Sequence, residues 1–141
     1  MFRQGPIPAF VHGLLEYAAG ILLVASSFLF DFKSDGATAA SIVAGVLIIV
    51  IAASTALPTG LIKSIPVQAH VVLDYILAGL LIASPFIFGF TSDGTATAFF
   101  IVLGIVYLLM TIATRFIREE KPPKRPRPDP EPAAPKPAGE H

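Results

Sequence analysis

The sequence predicts an all-α protein: a four-helix transmembrane bundle built from two tandem two-helix repeats, followed by a disordered Pro-rich C-terminal tail. Three observations support this fold class. Hydrophobic residues make up 54% of the 141 positions and the mean hydropathy is +0.73, which is too apolar for an ordinary soluble domain of this size. Four apolar stretches are each long enough to cross a bilayer. The first half of the chain also recurs in the second half at a constant offset.

The four apolar stretches cover approximately residues 10–30, 37–57, 67–90 and 95–114. About twenty helical residues are needed to cross roughly 30 Å of hydrocarbon. Charged residues are rare in these stretches, and twelve of the twenty charges in the chain fall in its last 27 positions. Only the first and third stretches contain a histidine or a carboxylate, and we therefore expect four membrane spans of two kinds.

An offset of 58 residues relates the two halves and preserves rare polar residues at equal depth. We interpret it as the duplication of a two-helix unit. The first span is expected to be retained, because its counterpart at 67–90 lies mid-chain, where a cleaved signal peptide does not occur. The matches include Ile7-Pro8 with Ile65-Pro66, His12 with His70, Glu16-Tyr17 with Asp74-Tyr75, and Ser34-Asp35-Gly36 with Ser92-Asp93-Gly94.

The distribution of Lys and Arg predicts the orientation in the membrane. Arg3, Lys63 and the basic C-terminal residues share one side, and Lys33 lies on the other. We therefore expect both termini on the cytoplasmic side of a bacterial inner membrane. The predicted segments are a short cytoplasmic N-terminus (1–9), repeat 1 (10–57), a cytoplasmic linker (58–66), repeat 2 (67–117) and a cytoplasmic tail (118–141).

The tail is the segment most suited to a protein partner. Residues 122–137 contain eight prolines, which lack the backbone donor that a helix needs, so we expect extended chain. Such a segment predicts binding to a membrane or cytoplasmic protein through residues 119–141. The bilayer is the other expected partner, and nucleic acid is not expected. The lipid-facing area of so small a bundle leaves room for a homo-oligomer.

The ends of the spans carry further signals. Asp35 or Asp93 is expected to cap the helix that follows it. Pro85 removes the backbone donor for the Leu81 carbonyl and should kink the third helix, with Ser84 compensating the carbonyl. At the position of an outer interfacial aromatic belt, six phenylalanines are expected to contact lipid or to pack between helices: Phe28, Phe30, Phe32, Phe86, Phe88 and Phe90.

The paired motifs resemble the SPW-repeat membrane proteins of bacteria. A His-x-x-x-acid-Tyr helix start is followed by a Ser-Pro-aromatic helix end, and the likeness covers roughly residues 7–114. The chain departs from the family at the motif itself, since Phe86 stands where the family has tryptophan. The resemblance implies four spans but brings no known activity. The residues at the motif positions are Ser26, Ser27 and Phe28 in the first copy and Ser84, Pro85 and Phe86 in the second.

One group of polar residues inside the predicted spans could bind a ligand or carry protons. His12 and Glu16 are four residues apart, as are His70 and Asp74, so each pair occupies one helix face. A charge at the centre of a span costs about 2.5–3.5 kcal/mol, so these groups must be paired, protonated or hydrated. The candidate intramembrane polar site predicted from this pattern is His12, Glu16, Tyr17, His70, Asp74 and Tyr75.

Three roles for this site remain open from sequence. The pairs are a structural clip between the repeats, a path for protons or a small solute, or a site for a metal or a bis-histidine haem. The chain has no cysteine, no phosphate-binding Gly-rich loop and no triad context. We therefore predict no catalytic residue and no cofactor, commit to no metal ligand, and expect a non-enzymatic structural or partner-binding membrane subunit.

Overall fold

A computed structural model describes residues 5–116, and the tail predicted for 118–141 lies outside the described residues. Four long helices dominate it and agree with the predicted fold class. Each is long and apolar enough to cross a membrane. In chain order the elements are β1 (Ile7–Pro8), α1 (Ala9–Leu29), α2 (Asp35–Ala53), α3 (Val67–Ile87), α4 (Gly94–Ile112) and β2 (Thr114–Arg115).

Two helices end three or four residues earlier than the apolar stretches that predict them. α2 ends at Ala53 instead of Leu57, and α3 ends at Ile87 instead of Phe90. After α2 the chain folds back, and the Leu61 amide donates a 2.7 Å hydrogen bond to the Ala53 carbonyl. Hydropathy marks which segment lies in the apolar layer, whereas a helix stops where its carbonyls find other partners.

Different residues cap the two second helices. The Ser34 hydroxyl accepts a hydrogen bond from the Ala37 amide (3.3 Å), and the Asp93 carboxylate accepts one from the Ala96 amide (3.1 Å). The expected cap at Asp93 is therefore confirmed. The expected cap at Asp35 is wrong, because Asp35 is already the first residue of α2 and Ser34 provides the cap. Ser and Asp are both favoured at this position because their oxygens satisfy free helix amides.

The Asp93 carboxylate also fastens the two outer turns together. Besides its own cap it accepts hydrogen bonds from the amides of Lys33 (2.7 Å) and Ser34 (3.0 Å). Partial burial raises the pKa of the Asp93 carboxyl. The hydrogen bonds from the backbone amides of Ala96, Ser34 and Lys33 lower it by more, so the pKa of Asp93 lies below its ordinary value. The loop of the first repeat is thus held by the cap of the second.

The second helices of the two repeats correspond at an offset of 59, not 58. α2 begins at Asp35 and α4 at Gly94, so Ser34 caps α2 whereas Asp93, the second residue of the same tripeptide, caps α4. The buried positions of the two helices then agree one for one. They are Ala37, Ser41, Gly45, Ile48, Ile51 and Ala52 in α2, and Ala96, Phe100, Gly104, Tyr107, Met110 and Thr111 in α4.

The start of each repeat pairs with the end of the other. β1 runs parallel to β2 with Ile7 opposite Thr114, and a single parallel bridge joins Ile65 to Thr55. The amides of Ile7 and Ile65 donate hydrogen bonds of 3.0 and 2.8 Å to the facing segments. Because the two pairings are equivalent under the repeat, they close the bundle with pseudo-two-fold symmetry.

Within each repeat the two helices approach closely at glycine. A Cβ added to Gly45 would lie 2.5 Å from the Gly20 carbonyl oxygen, and one added to Gly104 would lie 2.7 Å from the Ile82 side chain. By contrast, a Cβ on Gly79 would meet nothing within 4 Å. Small residues at such contacts let helix backbones pack tightly in lipid, where packing drives association.

Only part of the predicted aromatic belt lies on the surface. Phe28 and Phe86 are exposed, whereas Phe32 and Phe90 are buried in the core with exposed fractions of 9% and 1%. Phe32 and Phe90 therefore pack between helices, which is the second of the two roles expected for these side chains. Each follows a residue in the left-handed region at the end of α1 or α3, and this turn directs the next side chain inward.

Pro85 does not terminate α3, which continues to Ile87. The Ser84 hydroxyl donates a 2.6 Å hydrogen bond to the Leu80 carbonyl. The expected compensation of the Leu81 carbonyl by Ser84 is therefore wrong, since the hydroxyl reaches the preceding carbonyl, as Ser and Thr commonly do four residues back in helices.

Candidate functional site

The four histidine and carboxylate side chains meet at one end of the bundle. His12 and Glu16 project from the start of α1, and His70 and Asp74 from the start of α3. All four are buried, with exposed fractions of 0–1%. One ligand-type atom from each residue lies within 4.8 Å of the other three. We call these four residues the polar centre.

The shortest contact in the polar centre joins one repeat to the other. His12 Nε2 lies 3.0 Å from Asp74 Oδ2, but 3.7 Å from Glu16 Oε2 of its own helix. His70 Nε2 lies 3.3 Å from Glu16 Oε1 and 3.3 Å from Asp74 Oδ2. From the sequence, each carboxylate is expected to bond the histidine of its own helix, the neighbouring tyrosine or water. His12 instead lies nearest to Asp74 of the other repeat, because helix packing brings that carboxylate closer than Glu16.

Two threonines fix the orientation of the imidazoles. Thr114 Oγ1 lies 2.9 Å from His12 Nδ1, and Thr55 Oγ1 lies 2.8 Å from His70 Nδ1. Each hydroxyl also donates its proton to a helix carbonyl, that of Met110 or Ile51, at 2.6 Å. A hydroxyl has one proton, so each threonine must accept from the histidine. Both Nδ1 atoms are therefore N–H donors, and both Nε2 atoms point into the polar centre.

This tautomer has a chemical consequence. A neutral imidazole with its proton on Nδ1 presents a lone pair at Nε2, and the carboxylate oxygens facing it are acceptors too. Acceptors at 3.0–3.3 Å need a proton or a cation between them. His70 Nε2 and Glu16 Oε2 are buried atoms without a hydrogen-bond partner among the described residues. The polar centre is thus arranged to hold positive charge.

Tyr107 of α4 completes the polar centre. Its hydroxyl lies 3.0 Å from Glu16 Oε1 and 3.1 Å from Asp74 Oδ1, and it can donate to either. The equivalent position in α2 is the apolar Ile48, so the two copies differ here. The asymmetry supplies one hydroxyl that is shared between two carboxylates.

The structure does not bring the two tyrosines predicted from sequence into the polar centre. The Tyr17 hydroxyl donates to the Thr59 carbonyl in the linker (3.1 Å), and Tyr75 is 44% exposed on the bundle surface. Sequence reasoning missed Tyr107, Thr55 and Thr114. A usable signal existed, because Tyr107 lies on the buried face of α4, and Thr55 and Thr114 continue the same spacing of three and four just beyond the ends of α2 and α4.

The motif residues lie at the opposite end of the bundle and are not part of the polar centre. The Ser26 and Ser84 hydroxyls donate to helix carbonyls at 2.7 and 2.6 Å. Ser27 and Pro85 are buried, and Phe28 and Phe86 face outward. The motif residues therefore shape the ends of α1 and α3, where the chain turns.

Apolar side chains close the polar centre on both sides. Leu23 and Leu81 follow the two carboxylates by seven residues, which places them on the same face about 10 Å deeper, and both are buried. On the side of the termini, the Phe116 ring lies 4.7 Å from the His12 ring and 6.2 Å from the His70 ring, between centroids. The ionisable groups are consequently enclosed.

Four membrane-length helices with apolar side chains on their outer faces define a multi-pass integral membrane protein. The family model of the SPW repeat domain matches residues 10–114 and thus covers all four helices. The chain belongs to this family, as the motif resemblance indicated. No curated protein and no solved structure matches the chain.

Proposed function

We propose that this SPW-repeat protein is a non-enzymatic subunit of the bacterial cytoplasmic membrane with a structural or partner-binding role. The observation that carries the proposal is the enclosed polar centre. Each repeat contributes one histidine and one carboxylate, and the shortest bond, His12 to Asp74, joins the repeats. Such a pair in a low-dielectric interior fixes how the repeats fit together. The bundle is then a rigid platform for whatever binds outside it.

A small transport or proton-conducting module is the alternative, and it needs a polar route across the bundle. Beyond the polar centre the face shared by α1 and α3 continues with Leu23 and Leu81 and with the nearby Phe100 and Phe90, all buried in the core. The enclosing apolar layer supports a static role over conduction.

Reconstitution into liposomes separates the two functions. We expect the wild-type protein to conduct protons no faster than protein-free liposomes loaded with a pH-sensitive dye. The isosteric variants Glu16→Gln and Asp74→Asn should then leave the trace unchanged. A proton flux in the wild type that both variants abolish would establish the transport module instead.

The proposed orientation places the polar centre near the cytoplasmic face. Lys63 and Arg115 lie at the bundle end that carries both termini, and Lys33 lies at the other end. Reporter fusions after Gly36 and Gly94 should give the periplasmic signal, and fusions after Lys63 and Lys121 the cytoplasmic one. A periplasmic signal after Lys63 would overturn the orientation.

Partner binding is proposed for residues 119–141, because Pro-rich chain loses little entropy on docking. A photo-crosslinking residue at Ala133 should give one defined adduct in intact cells. Replacing the eight prolines of this segment by alanine keeps every charge while removing the extended conformation, and should abolish this adduct. An adduct from the Ala133 position that survives the proline replacement would argue against Pro-based docking, and the absence of any adduct would remove the partner-binding role.

A further inference from the structure

We infer that the polar centre is a binding site for one divalent transition-metal ion, held by His12 Nε2, His70 Nε2 and the carboxylates of Glu16 and Asp74. Two imidazoles and two carboxylates form a donor set that suits Zn²⁺ and Fe²⁺. This inference goes beyond the structural role proposed above. It rests on distances, unpartnered atoms, outer contacts and charge.

The distances between the donors match a tetrahedral ion. Ligand bonds of about 2.0–2.2 Å hold ligand atoms about 3.3–3.6 Å apart around a tetrahedral centre. The four imidazole–carboxylate separations are 3.0, 3.3, 3.3 and 3.7 Å, with Glu16 reaching His70 through Oε1 and His12 through Oε2. All four donor atoms lie within 4.8 Å of one another, so side-chain shifts of up to about 1.2 Å would bring the widest pair to this spacing.

Two buried donor atoms have no hydrogen-bond partner, and both point into the centre. Glu16 Oε2 and His70 Nε2 lack a partner among the described residues. The other polar atom of each side chain is hydrogen-bonded, Glu16 Oε1 to Tyr107 and His70 Nδ1 to Thr55. A buried acceptor that is left without a partner destabilises the folded protein. A metal ion between these atoms would satisfy both at once.

The contacts around the donors are those of a metal site. A histidine that ligates through one nitrogen usually donates the other N–H to an oxygen, which fixes the ring. Thr114 and Thr55 accept these N–H groups from His12 and His70. The Tyr107 hydroxyl in turn reaches a carboxylate oxygen of each repeat. Each histidine therefore has its own hydrogen-bonded supporting residue, and the two carboxylates share the Tyr107 hydroxyl.

Charge balance favours a divalent ion. Two carboxylates within a membrane bundle carry two negative charges, which are costly in an apolar environment unless neutralised. One divalent cation cancels them, and neutral imidazoles complete its coordination. The chain has no cysteine, which favours Zn²⁺ or Fe²⁺ over the soft ion Cu⁺.

The same geometry excludes a bis-histidine haem. A macrocycle would need the space between the two imidazoles. Asp74 Oδ2 occupies it, 3.0 Å from one Nε2 and 3.3 Å from the other. The ring centroids of His12 and His70 are 5.9 Å apart with planes at 77°, so they do not face each other across a porphyrin.

Metal loading of the full chain tests the inference directly. The detergent-purified protein is stripped with a chelator, incubated with Zn²⁺, desalted and analysed by mass spectrometry. We expect one zinc per chain, and Co²⁺ loading should give the intense visible bands of tetrahedral Co²⁺. The His12→Ala, His70→Ala double variant should lose both. A wild-type zinc content near zero overturns the site whatever the variants do.

Two further variants separate the polar centre from other histidines and from misfolding. His141→Ala removes the third histidine of the chain, outside the described residues, and should retain one zinc. Thr55→Val keeps all four ligands but removes the oxygen that orients His70, so its zinc affinity should fall about 10–100-fold. Zinc lost with His141→Ala, or unchanged affinity in Thr55→Val, would place the ion elsewhere.

Discussion

Replacing Tyr107 by phenylalanine removes one hydroxyl from the polar centre and keeps the buried ring. The hydroxyl lies 3.0 Å from Glu16 Oε1 and 3.1 Å from Asp74 Oδ1, but its single proton can bond only one of them at a time. A hydrogen bond to a charged group contributes about 1.5–3 kcal/mol. We therefore expect the free energy of unfolding of Tyr107→Phe to fall by about 1.5–3 kcal/mol, the value of one such bond rather than two.

The assay is reversible unfolding in mixed detergent micelles, followed by circular dichroism. Tyr75→Phe is the matched control, because Tyr75 adjoins Asp74 in sequence but is 44% exposed on the outer surface. Its unfolding free energy should change by less than about 0.5 kcal/mol. Equal losses in the two variants, or a loss confined to Tyr75→Phe, would refute the assignment of Tyr107 to the polar centre.

The remaining predictions concern helix packing and the outer turns. Gly45→Ala should destabilise the bundle by about 1–3 kcal/mol, because its Cβ would lie 2.5 Å from the Gly20 carbonyl oxygen, while Gly79→Ala should be neutral or slightly stabilising. The lowered pKa of Asp93 means that its stabilisation is present above the unfolded value of about 3.9 and is lost as pH falls through the folded value. Asp93→Asn should flatten this acid-side decrease in unfolding titrations, and an unchanged slope would contradict the role of Asp93.

The sequence predicted the helices and the repeat because both depend on local patterns. Four runs of about twenty apolar residues have few alternatives to membrane helices. The spacing of four between His12 and Glu16, and between His70 and Asp74, also places each pair on one helix face without knowledge of the packing. The fold class and the four ionisable members of the polar centre therefore follow from residues close together along the chain.

The partners of those residues depend on contacts between helices, which spacing along one helix does not determine. The second helices correspond at an offset of 59 residues, one more than the sequence repeat, so Tyr107 occupies the position in α4 that Ile48 occupies in α2. Thr55 and Thr114 stand at helix ends, where a threonine ordinarily faces headgroups or water. Tyr17 and Tyr75 were chosen for adjacency in sequence, but consecutive helical residues point about 100° apart.

The shortest imidazole–carboxylate contact of the polar centre joins the two repeats, and a pair of double-mutant cycles tests most directly whether this contact stabilises the bundle. One cycle combines His12→Gln with Asp74→Asn across the repeats, and the other combines His12→Gln with Glu16→Gln on a single helix. From separations of 3.0 and 3.7 Å, we predict an interaction free energy of about 1–3 kcal/mol for His12–Asp74, clearly larger than that for His12–Glu16. An interaction confined to His12–Glu16, with none between His12 and Asp74, would show that the polar centre does not join the two repeats.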